Sequence, residues 1–236
     1  MSWEWLGKDN ALIFASMTQA TQSRRESLYP TRSSAGAMLG QQLAARGYTS
    51  SILLGITPEG VEIAANAAKA MSVQFDVLVA SFIRLGSNPT PIGAIAESAP
   101  SEMDPDFLPG GNLLSSLEAA IDESRARVSQ DQVLYRTQRP VKSLKGHVAV
   151  IVDGHVVWPW KVLAAAKAAE QLGASKTVIA TPVATQAASE RIYARRYELI
   201  CPSIVMGAAG HPSPYGDMAG DTPERLRSIM IAHQAA

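Results

Sequence analysis

The sequence predicts an α/β fold, a doubly wound and mostly parallel sheet covered by helices on both faces. Three observations predict it. Apolar runs such as Ser51-Ile-Leu-Leu-Gly-Ile56 and Lys145-Gly-His-Val-Ala-Val-Ile-Val-Asp153 are continuous, as strands buried on both faces require. Segments with apolar residues at helical spacing separate these runs, and strand-helix alternation builds parallel crossovers. The chain is 47% apolar and 18% charged, which supplies a core and is too apolar for disorder.

The elements follow in order. Ala35, Met38, Leu39, Gln42 and Leu43 recur at helical spacing within Ser34 to Arg46, and Gly47 stops that helix before the first strand, Ser51 to Ile56. An alanine-rich helix from Gly60 to Met71 leads to a second strand, Phe75 to Ile83, which completes a βαβ unit. Glycine and proline crowd Gly86 to Gly111, so this segment is expected as a hood or flexible loop made of turns and short strands. A helix from Leu113 to Val128, the strand ending at Asp153, a helix from Trp160 to Leu172, a strand from Thr177 to Val183, a helix from Gln186 to Arg196 and a last run from Glu198 to Met206 complete the alternation. Residues 1–28 are expected as an N-terminal arm and residues 29–236 as one domain. Ligands of such sheets sit beyond the carboxyl ends of the strands, which directs attention to the loops after Gly55, Phe82, Val152 and Met206.

Composition excludes several functions. Twenty-one basic and 21 acidic residues leave no net field for a polyanion, so nucleic acid is not an expected partner. The lone cysteine, Cys201, cannot form an internal disulfide, and His147, His155, His211 and His233 lack paired metal-ligand spacing, so no metal and no cofactor are expected. No leader-like or membrane-spanning apolar stretch occurs, and a cytoplasmic protein is expected. The chain lacks a Gly-x-Ser-x-Gly elbow, a Gly-x-x-x-x-Gly-Lys phosphate loop and a Gly-x-Gly-x-x-Gly turn, against a hydrolase, an NTPase and a dinucleotide dehydrogenase.

Four strings carry a resemblance: Tyr29-Pro-Thr-Arg-Ser-Ser-Ala-Gly, Leu54-Gly-Ile-Thr-Pro-Glu-Gly-Val, Asp76-Val-Leu-Val, and Asn88-Pro-Thr-Pro-Ile-Gly-Ala-Ile-Ala-Glu97. With Arg136 to Gly154 and Gly173 to Val183 downstream, the order resembles one branch of the type I phosphoribosyltransferases over residues 29–216. The resemblance implies that family's fold and a site for phosphoribosyl diphosphate (PRPP) after the third long strand. There the family runs two acidic residues into a loop whose amides cradle a 5′-phosphate.

This sequence departs from the pattern at four places. Val152 replaces one carboxylate, leaving Asp153-Gly154-His155. The phosphate-cradling stretch has become Val157-Trp158-Pro159-Trp160, in which Pro159 has no N–H and two indoles take up space. Pro58-Glu59-Gly60 stands where a diphosphate-facing arginine is usual, and Ser81-Phe82 replaces an arginine-lysine pair, with Arg84 two residues on.

The implied reading is a phosphoribosyltransferase-like protein that has lost PRPP-dependent transfer and acts as a ligand-binding, regulatory or scaffolding homologue. The alternative is an active transferase with an altered donor site. The candidate ligand-binding residues are Asp153, Gly154, His155, Trp158, Trp160, Glu59, Gly60 and Arg84, for a small nucleotide or sugar-phosphate related molecule. Asp153-Gly154 is either a plain turn or a hydroxyl-binding pair, and Glu59 with Asp153 is a carboxylate pair of unfixed separation. Trp158 and Trp160 plug the vacated pocket, stack on a flat ligand or cover a subunit contact. Cys201 reads as a small buried hydrophobe. Trp3 and Trp5 in the arm, with the resemblance, lead to the expectation of a homodimer.

Overall fold

The structure, a computed structural model, describes residues 27–56, 58–110, 113–136, 142–207, 213–217 and 222–234. Apart from residues 27 and 28 the expected arm lies outside these, as does His211. The elements are α1 (Arg32–Ala45), β1 (Ser51–Ile56), α2 (Glu59–Met71), β2 (Gln74–Leu78), β3 (Ala80–Ile83), β4 (Gly93–Ala96), β5 (Glu102–Met103), α3 (Leu114–Arg136), β6 (Val148–Val152), β7 (His155–Val156), α4 (Trp160–Gln171), β8 (Lys176–Ala180), β9 (Val183–Thr185), α5 (Gln186–Ala194), β10 (Glu198–Ile200), β11 (Ser203–Val205) and α6 (Pro223–Gln234).

A five-stranded sheet of order β10-β8-β6-β1-β2 is parallel throughout. Its apolar runs serve both faces. Ile52, Leu54, Ile151 and Ile179 pack against α4, while Leu53, Val150, Val152 and Val178 meet Leu39, Leu43 and Ile63 from α1 and α2. Each such side chain contributes roughly 1.5 to 3 kcal/mol of burial. α1 starts with a capping box: the Thr31 hydroxyl accepts from Ser34 N at 3.0 Å, and the Ser34 hydroxyl accepts from Thr31 N at 3.2 Å.

Three expected strands are each broken in two. β6, β8 and β10 are interrupted for two residues, Asp153-Gly154, Thr181-Pro182 and Cys201-Pro202, and resume as β7, β9 and β11 in a second parallel sheet of order β11-β9-β7. The ladder persists into the break, with Asp153 N donating to Ala180 O at 3.3 Å and Thr181 N to Ile200 O at 3.0 Å. Pro182 and Pro202 then offer no N–H, which interrupts the ladder, and the strands resume beyond it in the same register. The expected Phe75 to Ile83 strand also breaks, at Val79, whose amide donates to the Glu97 carboxylate at 3.0 Å. β3 leaves the main sheet there and pairs antiparallel with β4, and β4 with β5, giving the hood a sheet of its own.

α3 runs to Arg136, beyond the expected end at Val128, because Tyr135 and Arg136 are buried. α6 has no counterpart among the expected elements; its Leu226 and Met230 pack with α3 and the hood strands. Among the described residues no helix is long and apolar enough to cross a membrane.

Candidate functional site at the carboxyl edge of the sheet

The site is organised by the kink after β6. Asp153 is 2% exposed, and its Oδ1 accepts from Gly154 N at 2.8 Å. Its Oδ2 lies 3.5 Å from the ammonium of Lys161, itself only 9% exposed and one residue into α4. A carboxylate has about four lone-pair sites, so capacity for hydroxyl donors remains here while the pairing removes the net charge.

Lys161 has a second neighbour. Its ammonium lies 5.1 Å from the centroid of the Phe82 ring on β3, and the Arg84 guanidinium lies 4.8 Å from the same centroid. Arg84 Nε donates to Pro89 O at 3.1 Å, which ties this cation to the hood turn. Burial, reinforced by nearby Arg127, lowers the Arg84 pKa.

The start of α2 sits directly on the kink. A Cβ at Gly60 would fall 2.2 Å from Val152 O, and one at Gly154 would fall 2.9 Å from the Cβ of Glu59, so both positions require glycine for this close approach. Glu59 and Glu62 occupy the first turn of α2, where they complement its own dipole, and Glu62 also accepts from Arg225 at 2.7 Å. The amino end of α2 is thus furnished with carboxylates from its own chain.

Two segments far apart in sequence, around Tyr29 and Tyr215, close over the kink. Tyr29 and Tyr215 form a parallel bridge, with Tyr29 N donating to Pro214 O at 3.0 Å and Gly216 N to Tyr29 O at 2.9 Å. The Tyr215 hydroxyl donates to Gly154 O, and the Tyr29 hydroxyl to Pro182 O at 3.1 Å. The Arg32 guanidinium lies 5.8 Å from the Tyr215 ring centroid. Burial, with the Asp153 and Glu59 carboxylates close by, raises the Tyr215 pKa and keeps its hydroxyl a neutral donor.

The tryptophans lie at the start of α4, where their sequence position puts them. Trp158 is half-buried against the core, and Trp160 is 2% exposed, with the Arg191 guanidinium 5.3 Å from its ring centroid. The Trp160 Nε1 has no hydrogen bond within the described residues. Pro159 caps α4 without a side-chain hydrogen bond. Half-buried His155 begins β7 opposite Val183. Cys201, half-buried and at the third kink, donates its Sγ–H to Ser203 O at 3.3 Å, and burial pushes its thiol up to about 11, away from nucleophilic use. No three His, Cys, Asp or Glu side chains among the described residues converge as a metal site.

The structure therefore brings Glu59, Gly60, Asp153 and Gly154 together and sets Arg84 beside them through Phe82 and Lys161. Lys161, Phe82, Tyr29, Arg32 and Tyr215 are members outside the candidate set read from the sequence. Tyr29, Arg32 and Phe82 lie in strings that carry the resemblance or depart from it, and Lys161 is the first cation after the Asp153 loop; Tyr215 has no signal.

Two Mycobacterium tuberculosis proteins, from strains CDC 1551 and H37Rv, provisionally named phosphoribosyl transferases, are each 28% identical to this chain over 176 residues, 74% of its length. The chain spans about 40% of the length of these relatives. The crystal structure of TT1426 from Thermus thermophilus superposes with a TM-score of 0.72 at 29% identity, covering 86% of this chain and 98% of that one. The AQ2163 protein of Aquifex aeolicus shares the fold at a TM-score of 0.51 and 10% identity, over 80% of this chain and 81% of that one. No family model matches the sequence. In sequence and architecture, the chain resembles the type I phosphoribosyltransferases.

Proposed function

We propose that this chain binds a small nucleotide or sugar-phosphate related ligand at the carboxyl edge of its sheet and has lost transfer from PRPP, serving as a ligand-binding, regulatory or scaffolding homologue of the transferases. The observation that carries the reading is the Asp153–Lys161 pair. In the resembled enzymes, paired carboxylates take ribose hydroxyls while loop amides take the phosphate. Here one carboxylate is Val152, the other is neutralised by a buried lysine, and Pro159 removes an amide from the helix start. Losing a single transition-state donor costs about 3 kcal/mol, so several such losses leave no measurable rate.

The test is release of pyrophosphate from PRPP with magnesium and common purine or pyrimidine bases, read beside the melting temperature. The expected result is no release above the enzyme-free blank. Turnover that disappears in Asp153→Asn overturns the reading. It would establish the second reading, an active transferase with an altered donor site, which the name of the mycobacterial relatives favours.

The same proposal places the protein in the cytoplasm as a homodimer, supported by its unpaired cysteine and by the commonness of twofold assembly. Sedimentation is expected to give about twice the 25.1 kDa chain mass at tens of micromolar. A monomer, for the full chain and for a variant lacking residues 1–10 alike, overturns the assembly.

A further inference from the structure

At the amino end of the same sheet, away from Asp153, the starts of β1, β2 and β6 and the end of α2 enclose a groove of about 890 Å³ with one face of α6. Its volume falls within the range of small-molecule sites. Ala65, Val73, Phe75 and Ile229 give it an apolar floor beside the polar Ser51, Asn66 and Gln74, while Lys69, Lys142 and His147 stand on the rim; no acidic residue lines it.

Among the described lysines, those at this groove stand apart. Lys161, Lys167 and Lys176 are each paired with a carboxylate, whereas Lys69, Lys142 and neighbouring Lys145 form no ion pair with any described residue. His147 Nδ1 lies 3.1 Å from Lys145 O, which commits that nitrogen as the donor, and Nε2 donates to an anion as well in the imidazolium form. The end of α2 would oppose an anion through its terminal carbonyls, but Ser72 N and Val73 N donate to Ala68 O and Lys69 O, so those carbonyls are capped.

We infer that this groove is a second ligand site, which takes an organic phosphate: a phosphate held between Lys69, Lys142 and His147 and a flat or apolar body laid on the floor beside Phe75. A bare inorganic anion would leave the apolar floor unused. The site is independent of the carboxyl-edge reading, and neither needs the other.

Calorimetric titration with AMP tests it, with adenosine and pyrophosphate as the ring-only and phosphate-only probes. AMP is expected to bind more tightly than either probe, and Lys69→Met with Lys142→Met to weaken it by roughly tenfold or more. Both lysines are exposed, so this variant keeps its fold, and the corresponding double arginine variant retains binding. Arg125→Met, which removes an exposed cation of α3 outside the groove, leaves AMP affinity unchanged. The inference is overturned by no AMP binding at about 10 mM, by adenosine or pyrophosphate binding as tightly as AMP, or by equal AMP binding in the double methionine variant, which would place AMP elsewhere.

Discussion

Lys161 decides the character of the carboxyl-edge site, because a buried carboxylate without it would be an uncompensated charge. Lys161→Met is expected to cost about 3 kcal/mol in urea denaturation, and Lys161→Met with Asp153→Asn to recover most of that loss, since removing both charges removes the desolvation penalty too. A single variant costing under about 1 kcal/mol would show that the pair behaves as a solvated one. Cys201 gives a second residue-scale outcome. With its thiol held near 11 against an ordinary 9.0, about a hundredfold less thiolate exists at pH 8 than in the unfolded chain. Alkylation should be correspondingly slow in the native protein and fast in guanidinium. The sign for stability follows: the neutral thiol's contribution is fully present below the unfolded pKa and is lost as pH rises through about 11. Asp153, Gly154, Glu59 and Gly60 were legible in the sequence because they end or begin elements. The pairing of Tyr29 with Tyr215 was not, since only a strand-like bridge between segments far apart in sequence makes them neighbours.

At the scale of elements, the most consequential contact is the one that breaks β2 from β3. The buried Glu97 carboxylate accepts from Val79 N at 3.0 Å, Gln132 Nε2 at 2.9 Å and Arg136 Nε at 2.7 Å, and Arg136 also donates to Val77 O at 2.6 Å. It thereby ties the end of α3 to the point where the chain leaves the main sheet. Glu97→Ala leaves the buried Arg136 guanidinium with Asp76, 3.7 Å away, as its remaining carboxylate, and should cost about 3 kcal/mol in chemical denaturation. Glu123→Ala, which breaks an exposed pair with Arg127 on the same helix, should cost no more than about 0.5 kcal/mol. Comparable losses would contradict the distinction. The helices were legible through their apolar spacing, and the strands through their continuous runs. The kinks were not, because Thr181-Pro182 and Cys201-Pro202 interrupt runs whose apolar character continues on both sides. The carboxylate that breaks β2 from β3 lies in a segment that composition marks only as glycine- and proline-rich.

Across the whole molecule, burial is unevenly shared, and that unevenness predicts how the fold opens. The fold class was legible because burying a parallel sheet on two faces demands uninterrupted apolar strands, a demand written directly into β1, β6 and β8. Nothing local writes the third packing cluster, where α3, the hood strands and α6 meet against one edge of that sheet. α4 buries nine of its 12 residues, whereas α3 buries five of 23, two of them Ser124 and Arg136. The hood depends further on Glu102, which pairs with Lys167 and Arg195, and on Asp104 and Asp106, which pair with Arg191. These basic side chains are more than a third exposed and are therefore screened by salt. Native-state hydrogen exchange should consequently find two levels of opening, with amides of α3 and β5 exchanging at a free energy at least about 2 kcal/mol below those of β1 and β6. Raising salt to about 1 M should lower the β5 value and leave the β6 value in place. If the α3 and β6 peptides instead lose protection together across a urea series, the hood, α3 and the main sheet form one cooperative unit, and the third cluster is as strongly joined to the sheet as its own two faces are.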